Sequence, residues 1–147
     1  MSKKITSRKF LPTFAELIDR LSIVQLKIIF IPEQKEAYET ERDAIIHDID
    51  LLLRDIKVTG EMVRAMLVIM LCNRFIWENE SKARLGGDGQ DKLLKLTHSI
   101  NGVRNTAKNI ISKELGERID LRIDCLAAEL CKEFGNWNIF KDLQTKG

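Results

Sequence analysis

The stretch Thr13–Pro32, TFAELIDRLSIVQLKIIFIP, carries a helix with both of its ends written in. Thr13 is a helix-capping residue, and Glu16 stands three positions later, where its carboxylate can reach back to the cap. Pro32 closes the segment, because proline has no N–H to give and disfavours helix in the residue before it. Between these marks, Phe14, Leu17, Ile18, Leu21, Val24 and Ile28 recur with the helical period. At about 100° per residue, Ile23, Leu26 and Phe30 form a second apolar face. A helix with apolar residues on two sides has to lie between neighbours, so this first helix is expected at the centre of a bundle.

The rest of the chain supplies those neighbours. A charged helix is expected from Glu33 to about Lys57, with a narrow seam of Tyr38, Ile45, Ile49, Leu52 and Ile56 suited to one antiparallel partner. Thr59-Gly60 breaks that pattern. The third helix, about Glu61 to Arg84, is apolar all round through Met62–Cys72, which predicts deep burial of its first half. Gly86-Gly87-Asp88-Gly89 reads as a loop. A fourth helix is expected from about Asp91 to Gly116, with Leu93, Leu96, Ile100, Val103, Ala107 and Ile110 as its seam. A fifth, Glu117 to about Phe134, uses Ile119, Ile123, Leu126 and Leu130. Gly135 ends it, and Trp137, Ile139 and Phe140 are expected to fold back onto the bundle. The expected class is all-α: a basic arm over 1–12, then a single-domain bundle of about five helices over 13–147.

Composition narrows the function classes. With 147 residues and 44% hydrophobic content the chain can bury a core, which argues against disorder. The 24 Lys/Arg and 22 Asp/Glu nearly cancel to a formal +2, so a broad basic surface for nucleic acid is not expected. Cys72, Cys125 and Cys131 are odd in number and lie in apolar helical patterns, the usage of reduced thiols in a cytoplasmic protein. No metal-ligand spacing links them to His47 or His98, and neither a metal nor another cofactor is implied. The basic start MSKKITSRKF lacks the apolar core of a secretory signal, and no apolar run approaches a membrane span.

Polar residues gather on three of the helices. On the third, Asn73, Trp77, Glu80 and Arg84 fall at i, i+4, i+7 and i+11, so an apolar stripe becomes a polar one on the same face. On the fourth, Asn101, Arg104, Asn105 and Lys108 fall at i, i+3, i+4 and i+7. Asparagine is a mediocre helix former, so helix propensity does not explain this patch. On the first, Asp19 sits among Ile23, Leu26 and Phe30, where an unpaired carboxylate would be costly. It needs a cationic partner, and Arg84, Arg104 or Lys108 could supply one. Arg20 and Lys27 occupy an adjoining ridge. Arginine can hold a phosphate or carboxylate through two parallel bonds, lysine adds a point charge, and asparagine can read hydroxyls or base edges. The competing explanation of the same residues is an interhelical network that fixes register.

Three segments carry a resemblance. Ala15-Glu16-Leu17-Ile18-Asp19-Arg20-Leu21-Ser22-Ile23, followed by Lys27, resembles the opening motif of a poorly characterised small helical family. Its members are encoded beside glycosyltransferases in bacterial polysaccharide clusters, and phage proteins look similar. Asn73, Trp77, Glu80 and Arg84 resemble its second motif, and Asn101, Arg104, Asn105 and Lys108 its third. The acidic pair of the second motif is altered here: Glu78 follows Trp77 directly, and Asn79 separates it from Glu80. The resemblance implies a sugar- or nucleotide-related context and a shared polar site, without implying a reaction.

The leading expectation is a pocket between the first, third and fourth helices for a small anionic ligand: a nucleotide, cyclic nucleotide, nucleotide-sugar or sugar phosphate. Its expected lining is Asp19, Arg20, Lys27, Asn73, Trp77, Glu80, Arg84, Asn101, Arg104, Asn105 and Lys108. In a phage, such a protein could sequester a host nucleotide signal. A second reading is a hydrolase or transferase acting on a phosphorylated or nucleotide-linked substrate, with Asp19 or Glu80 as acid/base. A third is a homo-oligomeric module joined through the second helix and the aromatic tail.

Overall fold

A computed structural model describes residues 9–84 and 89–119, without the side chains of residues 83, 84, 90 and 91. Its elements are α1 (Phe14–Phe30), a 3-10 turn (Pro32–Gln34), α2 (Lys35–Leu53), α3 (Gly60–Arg84) and α4 (Gln90–Leu115). The fold is an all-α, single-domain bundle, with four α-helices and no strand among the described residues.

α1 begins where its sequence directs. The Thr13 hydroxyl accepts from the Glu16 N–H, and the Glu16 carboxylate accepts from the Thr13 N–H, a complete capping box. A third acceptor arrives from just beyond α4: the Glu117 carboxylate takes the Phe14 N–H at 3.1 Å, placing negative charge at the positive end of the helix. α1 is the one described helix that packs against all three others, which is the central position its two apolar faces require. Phe14 and Val24 join Met62, Ile69 and Cys72 of α3 and Ile100, Val103, Ala107 and Ile111 of α4 in one core cluster, and Leu26 is also buried. α2 packs on α1 through Ile45 and Ile49, with Tyr38 and Ile56 at the margins.

Three boundaries differ from the sequence reading. α2 stops at Leu53 rather than near Lys57, and a 3-10 turn precedes it from Pro32. Thr59-Gly60 is a start as well as a break. The Thr59 hydroxyl accepts the Met62 N–H, so Thr59 caps α3 and Gly60 is its first residue. Glu117–Ile119 is not helical. Gly116 takes the left-handed conformation at φ 67°, and the Glu117 N–H reaches back to the Ser112 carbonyl. That turn swings Glu117 onto the start of α1. The remainder of the expected fifth helix, Cys125 and Cys131, and the aromatic residues Trp137, Ile139 and Phe140 lie outside the described residues.

The larger correction concerns α3. Its first half is not buried all round: Val63 is 45% exposed, Leu67 62% and Leu71 52%. α3 has major neighbours on two sides, α1 and α4, while α2 packs on α1 instead of completing the ring around α3. An apolar face without a neighbour among the described residues remains at the surface. Among the described residues, no helix is long and apolar enough to cross a membrane.

Candidate functional site

Asp19 of α1, Asn73 of α3, and Arg104 and Lys108 of α4 meet where the three helices converge. Asn73 lies at the junction and is buried. Its Nδ2 donates to Asp19 Oδ1 at 2.9 Å and also to the Ser22 hydroxyl, and its Oδ1 accepts from Arg104 Nη1 at 2.7 Å. Chemistry dictates this orientation of the amide: a guanidinium can only donate and a carboxylate can only accept. Ser22 in turn donates to the Asp19 carbonyl at 2.9 Å, closing a chain of bonds across α1, α3 and α4.

The charges are less evenly matched than the hydrogen bonds. Lys108 Nζ lies 3.8 Å from Asp19 Oδ2, and Arg104 Nε lies 3.9 Å from Asp19 Oδ1. The Asp19, Lys108 and Arg104 side chains are 14%, 16% and 22% exposed. One largely enclosed carboxylate therefore faces two enclosed cations. Arg104 Nε is buried and has no hydrogen-bond partner among the described residues.

Asp19 and Lys108 also form part of the wall of a cleft of about 410 Å³ between α1, α2 and α4. Pro12, Leu17, Ile23 and Ile45 supply its apolar lining, and Glu16, Arg20 and Glu41 its other charges. Each glutamate has its own arginine: Arg20 Nη2 lies 2.9 Å from Glu41 Oε1, and Arg118 Nη2 lies 3.3 Å from Glu16 Oε2. With those pairs matched, the excess positive charge falls on Lys108 and on Arg104 behind it. A volume of this order suits a small molecule.

The residues singled out from sequence divide into groups. Asp19, Asn73, Arg104 and Lys108 come together, and Arg20 stands at the cleft wall, held by Glu41. Lys27 lies over the Tyr38 ring at 5.4 Å, away from the cluster. Trp77 stacks on Phe30, with ring centroids 5.9 Å apart. Glu80 is exposed, two turns beyond Asn73 along α3. Asn101 and Asn105 are half-buried on α4, and neither bonds to the cluster among the described residues. The Arg84 side chain lies outside the described residues. The cleft opens between α1, α2 and α4 rather than between α1, α3 and α4 as expected, and the Asn73–Arg104 bond spans the junction between α3 and α4.

Two participants were missed. Ser22 could have been found from its spacing, i+3 from Asp19 on a helix. Glu41 could not, because its pairing with Arg20 depends on how α2 folds back over α1. Among the described residues, no group of three or more His, Cys, Asp or Glu side chains is placed to hold a metal ion. Compared with models of protein families, with curated proteins and with solved structures, the chain finds no match.

Proposed function

We propose that the cleft between α1, α2 and α4 binds a small molecule bearing an anionic group, a phosphate or a carboxylate. The observation that carries this reading is the pair of enclosed cations, Lys108 and Arg104, set among the described residues against the single carboxylate of Asp19. A buried charge is normally balanced, and an anion beside Lys108 completes the balance. Asp19 holds Arg104 in place through Asn73, faces Lys108 directly, and is itself able to accept a hydrogen bond from a hydroxyl of the ligand. Ile23 and Ile45 offer an apolar surface to the remainder of the molecule, and Arg20 can leave Glu41 to meet a second charge at the rim. Nucleotides, cyclic nucleotides, nucleotide-sugars and sugar phosphates combine these features. For a phage-borne chain, the corresponding role is sequestration of a host nucleotide signal.

Thermal unfolding of the full chain against each of these classes, and against inorganic phosphate, tests the proposal. A ligand at a hundred times its dissociation constant stabilises the folded state by about 2.7 kcal/mol, a shift of several degrees for a domain of this size. That shift is expected for at least one class, and is lost in Lys108→Met. Absence of a shift with all of them would leave the cluster as a network that holds helix register. The enzyme reading, with Asp19 or Glu80 as acid/base, rests on Asp19 in this cleft, because Glu80 is exposed two turns beyond Asn73 along α3.

A further inference from the structure

The exposed apolar stripe of α3 is the largest departure from what the sequence leads one to expect, and its surroundings restrict what can cover it. Val63, Leu67 and Leu71 stand at i, i+4 and i+8 on one face, all open to solvent. Met70, beside Leu67 on the helix surface, connects the stripe to an apolar groove of about 320 Å³ with Ile18, Leu21 and Ile46 in its walls. Arg74 and Glu78 continue the same face and pair with each other at 2.9 Å, while Glu61 pairs with Arg64 at 3.6 Å at the other end. Glu117 is bonded to the Phe14 N–H and Arg118 to Glu16, a residue of the polar cleft on a different face of α1 from Ile18 and Leu21.

We propose that this face of α3 is where a second copy of the chain docks, the two α3 helices pairing antiparallel about a two-fold axis near Leu67. In that register Leu67 meets Leu67, and Val63 meets Leu71 of the other copy. Position 60 meets position 74. Gly60 has open space where a side chain would stand, leaving room for the stem of Arg74 from the second copy. The Arg74 guanidinium then lies beside Glu61, and the same pair forms again across the axis. A parallel pairing would set Arg74 against Arg74 and Glu61 against Glu61, so charge selects the antiparallel arrangement. The contact is isologous and closes at two copies. It is independent of the anion-binding proposal and uses none of that cleft's residues.

Sedimentation velocity of the full chain across the micromolar to sub-millimolar range tests the inference. The expected result is a reversible dimer, weakened at least about tenfold by Leu67→Glu, which buries two carboxylates face to face. Arg74→Glu is a milder variant, should Leu67→Glu fold poorly, at a half-buried position whose guanidinium pairs with Glu78 and lies 4.7 Å from the Phe30 ring centre. It should weaken the dimer, and the double variant Glu61→Arg/Arg74→Glu should recover most of the loss. A full chain that stays monomeric at every concentration overturns the inference, whether the stripe is then bare or covered by the chain's own residues. A dimer indifferent to Arg74→Glu and Leu67→Glu overturns it equally.

Discussion

The imbalance at Asp19 makes an asymmetric prediction for stability. At an effective dielectric of about 20, a pair of unit charges separated by 3.8 or 3.9 Å interacts by about 4 kcal/mol. Lys108 and Arg104 share one carboxylate, so their charges are no more than about 10 Å apart and repel by about 1.7 kcal/mol or more. Truncating Asp19 to alanine removes both attractions, keeps the repulsion and leaves the Ser22 hydroxyl as the remaining acceptor for Asn73 Nδ2. Partial exposure lets the two long side chains relax toward water, so the expected cost is about 3 kcal/mol, at the lower end of the range for breaking a buried pair. Lys108→Met loses one attraction but recovers the repulsion and the desolvation of the ammonium, and leaves Asp19 and Arg104 as a matched pair. Its expected effect is within about 1 kcal/mol of zero. Urea unfolding followed by helical circular dichroism, with the slope m checked for constancy, measures both. If Lys108→Met costs as much as Asp19→Ala, Lys108 is a structural member of a balanced network and the case for a missing anion fails.

Other parts of the fold give simpler expectations. Gly116→Ala forces a side chain into a backbone at φ 67° and should cost about 1 kcal/mol in the same urea experiment. Thr13→Ala removes the hydroxyl that caps α1, with an expected loss of about 1 kcal/mol, although Glu117 still covers the Phe14 N–H. Ile69→Ala, at a fully buried position of α3, should cost about 2–5 kcal/mol. Leu67→Ala, two residues away, should change stability by no more than about 0.5 kcal/mol in dilute solution. The opposite ranking would mean that α3 is rotated from the orientation described. Arg20→Ala breaks an exposed pair with Glu41 and should alter stability by less than about 1 kcal/mol.

Much of the candidate site was legible because helical spacing alone brings residues to one face. Asp19 stood out as a carboxylate among isoleucine, leucine and phenylalanine, and its need for a cation was an argument about solvation that requires no coordinates. Arg104 and Lys108 could be paired with each other from their spacing on a single helix. Arg20, Lys27, Trp77 and Glu80 share helices with members of the cluster yet take other partners or face solvent. Membership of a helix face does not say how far along its neighbour a side chain lands. Ser22 was within reach of the same spacing argument and was overlooked in favour of charged residues.

The signals that could be read from the chain alone are mostly local. Thr13 and Glu16 start α1, Pro32 turns the chain, Thr59 and Gly60 lie at the start of α3, and Gly116 stops α4. Each of these acts through bonds within a few residues. Periodicity likewise placed α1 at the centre, since a helix with two apolar faces needs neighbours on both. Tertiary structure decided which helices those neighbours touch in turn. The apolar run Met62–Cys72 reads the same whether α3 is surrounded or flanked on two sides. Only the packing of α2 against α1 left Val63, Leu67 and Leu71 in the open. The same choice put Glu41 over Arg20 and opened the cleft in which Lys108 stands. Burial depends on the area that neighbours cover, and that is a property of the assembled bundle rather than of any one helix.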